Sequence, residues 1–130
     1  MGPVDAGEVD RVTHSDAIRE KRAAYRQALE EALERIRGRL AESPQVQRAI
    51  LFGSYASGRR DLFTDLDLVV VMESDSSFID RSVELRRHLE AGVDMDLFVY
   101  TPEEFARMAQ RGFLAEVLKT GLVIYEKNAA

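Results

Sequence analysis

Hydrophobic positions near the start of the chain fall into a helical stripe. Between Ser15 and Leu40, the apolar positions Ile18, Tyr25, Leu29, Ala32, Ile36 and Leu40 recur at steps of three, four and seven. Glu, Arg and Gln fill the opposite face, so the spacing predicts one long helix. Gly38 weakens its last turn and Ser43-Pro44 ends it. The period then shortens. VQRAILFG (46–53) reads as a strand stopped by Gly53, SYASGRR (54–60) as a short helical turn, and DLDLVVVM (65–72) as a second strand. Leu68 to Met72 is nearly all apolar, so this strand is expected at the centre of a sheet, covered on both faces.

A polar break, Ser74 to Ser77, can cap a helix from Phe78 to Ala91, with Phe78, Leu85 and Leu89 on one side. VDMDLFVY (93–100) makes a third strand. Thr101-Pro102-Glu103-Glu104 is a helix start, with Thr at the cap, Pro at the first position and Glu at the third. Phe105 and Met108 are expected to face inward. Gly112 separates this helix from another, Phe113 to Thr120, which Gly121 stops. LVIYE (122–126) closes as a short strand. This order predicts an α/β (α+β) domain with a small central sheet. Residues 1–14 show no periodicity and are expected to form a flexible N-terminal arm, leaving residues 15–130 as a single domain.

Composition narrows the function. The chain has 130 residues, 45% hydrophobic and 32% charged, which suits one soluble globular domain. No apolar run is long enough to span a bilayer, and MGPVDAGEVDRVTH lacks the apolar core of a signal peptide. With no cysteine, disulfides and thiolate metal sites are excluded, and a cytoplasmic location is expected. A net charge of -5 disfavours a polymeric nucleic-acid partner. A small anion remains compatible, because a bound divalent cation can outweigh nearby acids.

Two short motifs carry chemistry. Gly53-Ser54 ends a strand and opens a helical turn. Glycine allows close backbone approach, serine adds donors, and the first helical turn offers free N–H groups, which together outline a phosphate site. Taken alone, Gly-Ser after a strand is a tight turn. Asp65-Leu66-Asp67 places two carboxylates on one face of a strand, where they repel unless a hard cation joins them. Taken alone, Asp-x-Asp is a solvated strand rim. Their conjunction is more specific, because a second acidic pair, Asp94 and Asp96, opens the next strand. A phosphate cradle beside a carboxylate cradle suits a nucleoside triphosphate with magnesium, since three carboxylates can hold two ions about 4 Å apart.

FGSYASGRRDLFTDLDLVVV resembles the signature of the DNA polymerase β-like nucleotidyltransferases: hydrophobic-Gly-Ser, a spacer, then Asp-hydrophobic-Asp-hydrophobic. Within that superfamily the chain is similar to the minimal nucleotidyltransferases, from about Ala49 to Glu126, including VDMDLFVYTPEEF and LKTGLVIYE. The resemblance implies a polymerase β-like palm, a small mixed sheet flanked by helices. It implies that Gly53 and Ser54 bind the triphosphate, and that Asp65 and Asp67 bind two magnesium ions. It also implies a third carboxylate on the following strand that acts as, or orients, the base. Asp96 fits that place best and Asp94 is the alternative, since both share one face. The chain departs from the family at Ser57, where many minimal members have Arg; Arg59 or Arg60 can substitute in phosphate contact. Thr64 replaces a common Ser and keeps its hydroxyl.

The implied reaction moves a nucleotidyl group, AMP from ATP by expectation, to a hydroxyl. The expected acceptor lies on a separate helical HEPN-type protein, as in toxin–antitoxin pairs. Alternatives are transfer to an aminoglycoside-like small molecule by a homodimer, or a mainly non-catalytic module that neutralises a partner. A receiver domain also gathers acids around a small sheet, but its acids sit at the carboxyl ends of strands. Here Asp65 and Asp67 precede the apolar run. His14, His88 and the cluster Arg81, Arg86 and Arg87 read as solvated. Tyr25 and Tyr100 read as core or boundary residues. Tyr55 can either stack on a base or shield the turn.

Overall fold

The apolar stripe at the start of the chain becomes α1 (Ala6–Glu42), whose Leu29, Ala32, Leu33, Ile36 and Leu40 are buried. The computed structural model describes residues 6–128, with side chains from Ser15 onward. The helix therefore begins before Ser15 and takes in residues 6–14 of the expected arm. Residues 1–5 and the side chain of His14 lie outside the described residues. Residues 19–24 are exposed, so α1 runs on past the sheet that its second half covers.

The remaining elements follow in the expected order: β1 (Val46–Phe52), α2 (Gly53–Ala56), β2 (Leu66–Met72), α3 (Phe78–Leu89), β3 (Met95–Tyr100), α4 (Pro102–Met108), α5 (Gly112–Thr120) and β4 (Leu122–Glu126). They build one mixed sheet in the order β3-β2-β1-β4. β1 pairs antiparallel with β2 and β4, and β2 pairs parallel with β3 through the α3 crossover. β2 is central, as its apolar run requires, and Leu66, Leu68, Val69 and Val70 are fully buried.

Alternation along the strands separates two cores. Ala49, Leu51, Leu68, Val70, Leu97 and Val99 face α1 and α3. Ile50, Val69 and Tyr100 face the opposite side with Leu114 and Val117 of α5. Each fully buried Leu or Val contributes roughly 1.5–3 kcal/mol, so both layers hold the sheet against its helices. Among the described residues no helix is long and apolar enough to cross a membrane.

Local signals set the helix ends. Ser77 Oγ accepts from the Asp80 N–H at 3.2 Å, capping α3. Thr101 and Glu104 form the expected capping box of α4, with the Thr101 N–H donating to Glu104 Oε1 at 2.9 Å. Gly121 caps α5 and leaves no room for a side chain: a Cβ there would lie 2.6 Å from both Ile50 Cγ2 on β1 and the Val117 carbonyl oxygen of α5 itself.

Two expectations are corrected. Met108 does not face inward; it is 47% exposed at the end of α4. Arg81 does not share a solvated face with Arg86 and Arg87, being only 6% exposed. The buried stripe of α3 is Arg81, Leu85 and Leu89, one residue every helical turn. Arg81 donates Nη1 to the Val99 carbonyl at 3.0 Å and Nη2 to Glu104 Oε2 at 3.0 Å, with a second bond to Glu104 Oε1. A buried guanidinium is tolerated because its charge and donors are matched. The paired guanidinium holds the Glu104 carboxyl at about 2.

Candidate active site

Along β1 the side chains alternate between the two cores until Phe52, where the chain turns into α2. Gly53 takes φ +77, in the left-handed region that favours glycine. A Cβ on Gly53 would overlap Asp67 Oδ2 and lie 3.0 Å from Asp67 Cγ. Glycine is therefore required twice, for the turn and for the approach of the β1 end to this carboxylate. Ser54 follows in the first turn of α2 and is half-buried.

Strand register decides which carboxylates meet. Phe52 pairs across to Asp67, and Asp67 pairs with Asp96 on the parallel strand β3. These three positions form one row across the sheet, and directly paired side chains stand about 5 Å apart. Asp67 is half-buried and Asp96 is exposed. Burial raises the pKa of Asp67 first, then a hydrogen bond shared with Asp96, then the charges of Asp96 and Asp65, to about 6. Asp65 stands in the chain just before β2, within electrostatic reach of Asp67 but outside the strand.

Asp94 goes elsewhere. It precedes β3, which starts at Met95, and lines a separate hollow with Tyr25, Ala28 and Gly92. Its charge acts on Tyr25, whose pKa is raised by burial, by Asp65 and by Asp94. The structure thus joins Asp67 to Asp96, with Asp65 beside them, and leaves Asp94 on the α1 side.

The two arginines after the turn are engaged locally. Arg59 Nε donates to Asp61 Oδ2 at 2.7 Å in an exposed pair. Arg60 lies over the Tyr55 ring at 3.5 Å and donates Nη1 to the Tyr55 carbonyl at 2.7 Å. Tyr55 is itself buried, so it shields the turn. Arg59 is the freer of the two, because a solvated ion pair is worth at most about 1 kcal/mol.

The model of the family described as polymerase beta, nucleotidyltransferase, matches residues 34–130. The chain belongs to the polymerase beta nucleotidyltransferase family. It is 33% identical over 82 residues to a candidate protein adenylyltransferase of Methanocaldococcus jannaschii, an overlap of 62% of this chain and 80% of that protein. The solved structure of a candidate nucleotidyltransferase from Sulfolobus solfataricus matches with a TM-score of 0.52 at 18% identity, over 83% of this chain and 86% of that one. A toxin–antitoxin structure with AMP-PNP matches with a TM-score of 0.52 at 22% identity, over 74% of each chain. These two structural likenesses concern the fold.

In this nucleotidyltransferase the carboxylate row continues into a group of rings that the sequence motifs do not mark. Phe52, Phe98 and Phe113 stand together, with centroids 5.2 to 6.1 Å apart. Phe98 follows Asp96 by two residues on the same strand and so shares its face. A separate cleft of about 470 Å³, lined by Arg48, Val71, Phe105 and Lys127, opens at the other end of β2. Val71 lies four residues beyond Asp67, roughly 13 Å along the strand. That cleft has no carboxylate pair, so the candidate chemistry stays with Gly53, Asp67 and Asp96.

Among the described residues no three His, Asp or Glu side chains converge into a preformed ion cage. Asp67 and Asp96 do form an oxygen-only pair, and the charge of Asp96 helps to raise the pKa of Asp67. A hard divalent cation takes oxygen donors of this kind, so the Asp67–Asp96 pair fits magnesium, and Asp65 is a further carboxylate whose charge reaches Asp67.

Proposed function

We propose that the chain transfers AMP from magnesium-ATP to a hydroxyl on a partner protein. The observation that carries this reading is the alignment of Asp67 with Asp96 directly against the Gly53 turn. Asp65, Asp67 and Asp96 would hold two magnesium ions, which would draw charge from the triphosphate. The Gly53 and Ser54 N–H groups, with the Ser54 hydroxyl, bind its terminal phosphates. Arg59 adds a positive charge once its exposed pair with Asp61 opens. Asp96, exposed at the rim, accepts the proton of the acceptor hydroxyl. The acceptor oxygen then bonds to the α-phosphorus, the bond from that phosphorus to the bridging oxygen breaks, and pyrophosphate leaves.

Two likenesses support a protein acceptor. The M. jannaschii relative carries the name of a protein adenylyltransferase, and neighbours of the same fold are toxin–antitoxin proteins, one solved with AMP-PNP. The helical HEPN-type protein implied by the minimal nucleotidyltransferase motifs is the partner of choice. The net charge of -5 favours a protein over a nucleic acid. The test is co-purification from the native host followed by incubation with labelled ATP and magnesium. A small helical protein that gains the mass of AMP supports the proposal. Label on an aminoglycoside-like alcohol, with no labelled protein, overturns the protein acceptor. A co-purifying partner that no condition labels overturns the transfer reaction in favour of neutralisation by binding.

A further inference from the structure

Asp67 and Asp96 lie within the sheet, whereas Asp65 lies just outside it. β2 begins at Leu66, whose N–H donates to the Asp94 carbonyl at 3.3 Å. That bond holds the peptide after Asp65, and the peptide before Asp65 takes its direction from the preceding loop. That loop is bonded chiefly to itself. The Thr64 N–H donates to the Asp61 carbonyl at 3.1 Å. The Asp61 N–H donates to Thr64 Oγ1 at 3.0 Å, and the Phe63 N–H to Asp61 Oδ1 at 2.8 Å.

Among the described residues, the hydrogen bond that ties the loop's end to another layer comes from α1. The Tyr25 hydroxyl donates to the Thr64 carbonyl at 2.7 Å, across 39 positions of sequence. Thr64 is fully buried and Tyr25 half-buried, so water competes poorly for this bond. The accepting carbonyl belongs to the same planar peptide unit as the Asp65 N–H. Fixing its oxygen orients the bond on which the Asp65 side chain is mounted. Tyr25 also lies upstream of the matched residues 34–130, so the family pattern does not include it.

We propose that Tyr25 is a positioning residue: its hydroxyl clamps the Thr64–Asp65 peptide and aims the Asp65 carboxylate at the metal held by Asp67 and Asp96. The role rests on the transfer reaction proposed above.

The test uses the full chain, with Mn²⁺ alone as the probe. Tyr25→Phe removes the hydroxyl and keeps the ring; Tyr25→Leu removes both. Mn²⁺ affinity is measured by electron paramagnetic resonance, and the Asp65 amide is followed by NMR. Both variants should weaken Mn²⁺ binding about five-fold, the loss expected for one shielded hydrogen bond, and shift the Asp65 amide. The KM for ATP at saturating metal should stay unchanged while kcat falls. Wild-type Mn²⁺ affinity and an unmoved Asp65 amide in Tyr25→Phe overturn the role, as does a loss confined to Tyr25→Leu, which would mean packing. If Tyr25→Leu fails to fold, Tyr25→Phe still decides. Asp67→Asn separates the two levels. If it abolishes Mn²⁺ binding while Tyr25→Phe matches wild type, the clamp alone fails. If it keeps both Mn²⁺ binding and transfer, the carboxylate site fails and the role of Tyr25 with it.

Discussion

Replacing Asp67 by Asn should raise stability and abolish transfer together. Without metal, the folded chain keeps this carboxyl near pKa 6, against an ordinary 3.8. Ionising it within the fold then costs about 3 kcal/mol at neutral pH as an upper bound. Asp67 is only half-buried, and solvent screening brings the expected cost to about 1–2 kcal/mol. The sign follows from proton uptake. Below about pH 4 the carboxyl is protonated in both states and costs nothing. Between pH 4 and 6 the folded state binds more protons than the unfolded state, so stability falls as pH rises. Above about pH 6 the full cost is present. In EDTA at pH 7.5, Asp67→Asn should therefore melt about 3–8 °C above wild type, and at pH 4 the gap should close. Magnesium at a hundred times its dissociation constant should stabilise wild type by about 2.7 kcal/mol and leave the variant nearly unmoved. Transfer from labelled ATP should fall about a thousand-fold. Circular dichroism melts with and without magnesium, run beside the transfer assay, check all three effects. A variant less stable than wild type at pH 7.5 in EDTA, equal stabilisation of both by magnesium, or near wild-type transfer would refute the reasoning.

Other positions divide the same site. Asp96→Asn should cost far more transfer than Asp94→Asn, measured side by side with labelled ATP, because only Asp96 is paired with Asp67. Gly53→Ala should lose transfer and about 1–3 kcal/mol of stability by urea titration, since its methyl would overlap the Asp67 carboxylate at a positive φ. Glu104 acts with the opposite sign to Asp67. Its carboxyl, held at about 2 against an ordinary 4.5, contributes about 1–3 kcal/mol above pH 4.5 that is lost as pH falls toward 2. Glu104→Gln should flatten that acid limb in urea titrations at pH 5 and pH 2.5, and an unchanged limb would remove the Arg81 pair from the account.

Local regularities made most of the fold legible in the sequence. The helical stripe Leu29-Ala32-Ile36-Leu40, the capping box at Thr101 and Glu104, and the apolar run of β2 each act within a few residues, and each appears where expected. The same holds for the order of elements and for the Gly53-Ser54 turn, because steric freedom at glycine and the first helical turn are local properties. Choices that depend on distant segments were left to the tertiary structure. Asp94 and Asp96 have the same strand parity, and only the start of β3 at Met95 and its register with β2 pair Asp96 with Asp67. Arg81 reads as one more charge on a helix until Glu104, 23 positions away, neutralises it inside the fold. Tyr25 reads as a core or boundary residue until α1 lies across the loop that ends at Thr64. In each case the sequence determined which side chains point to one side of their own element. Burial, charge pairing and hydrogen bonding between elements decided what they meet, because those energies depend on distances in space that no local period encodes.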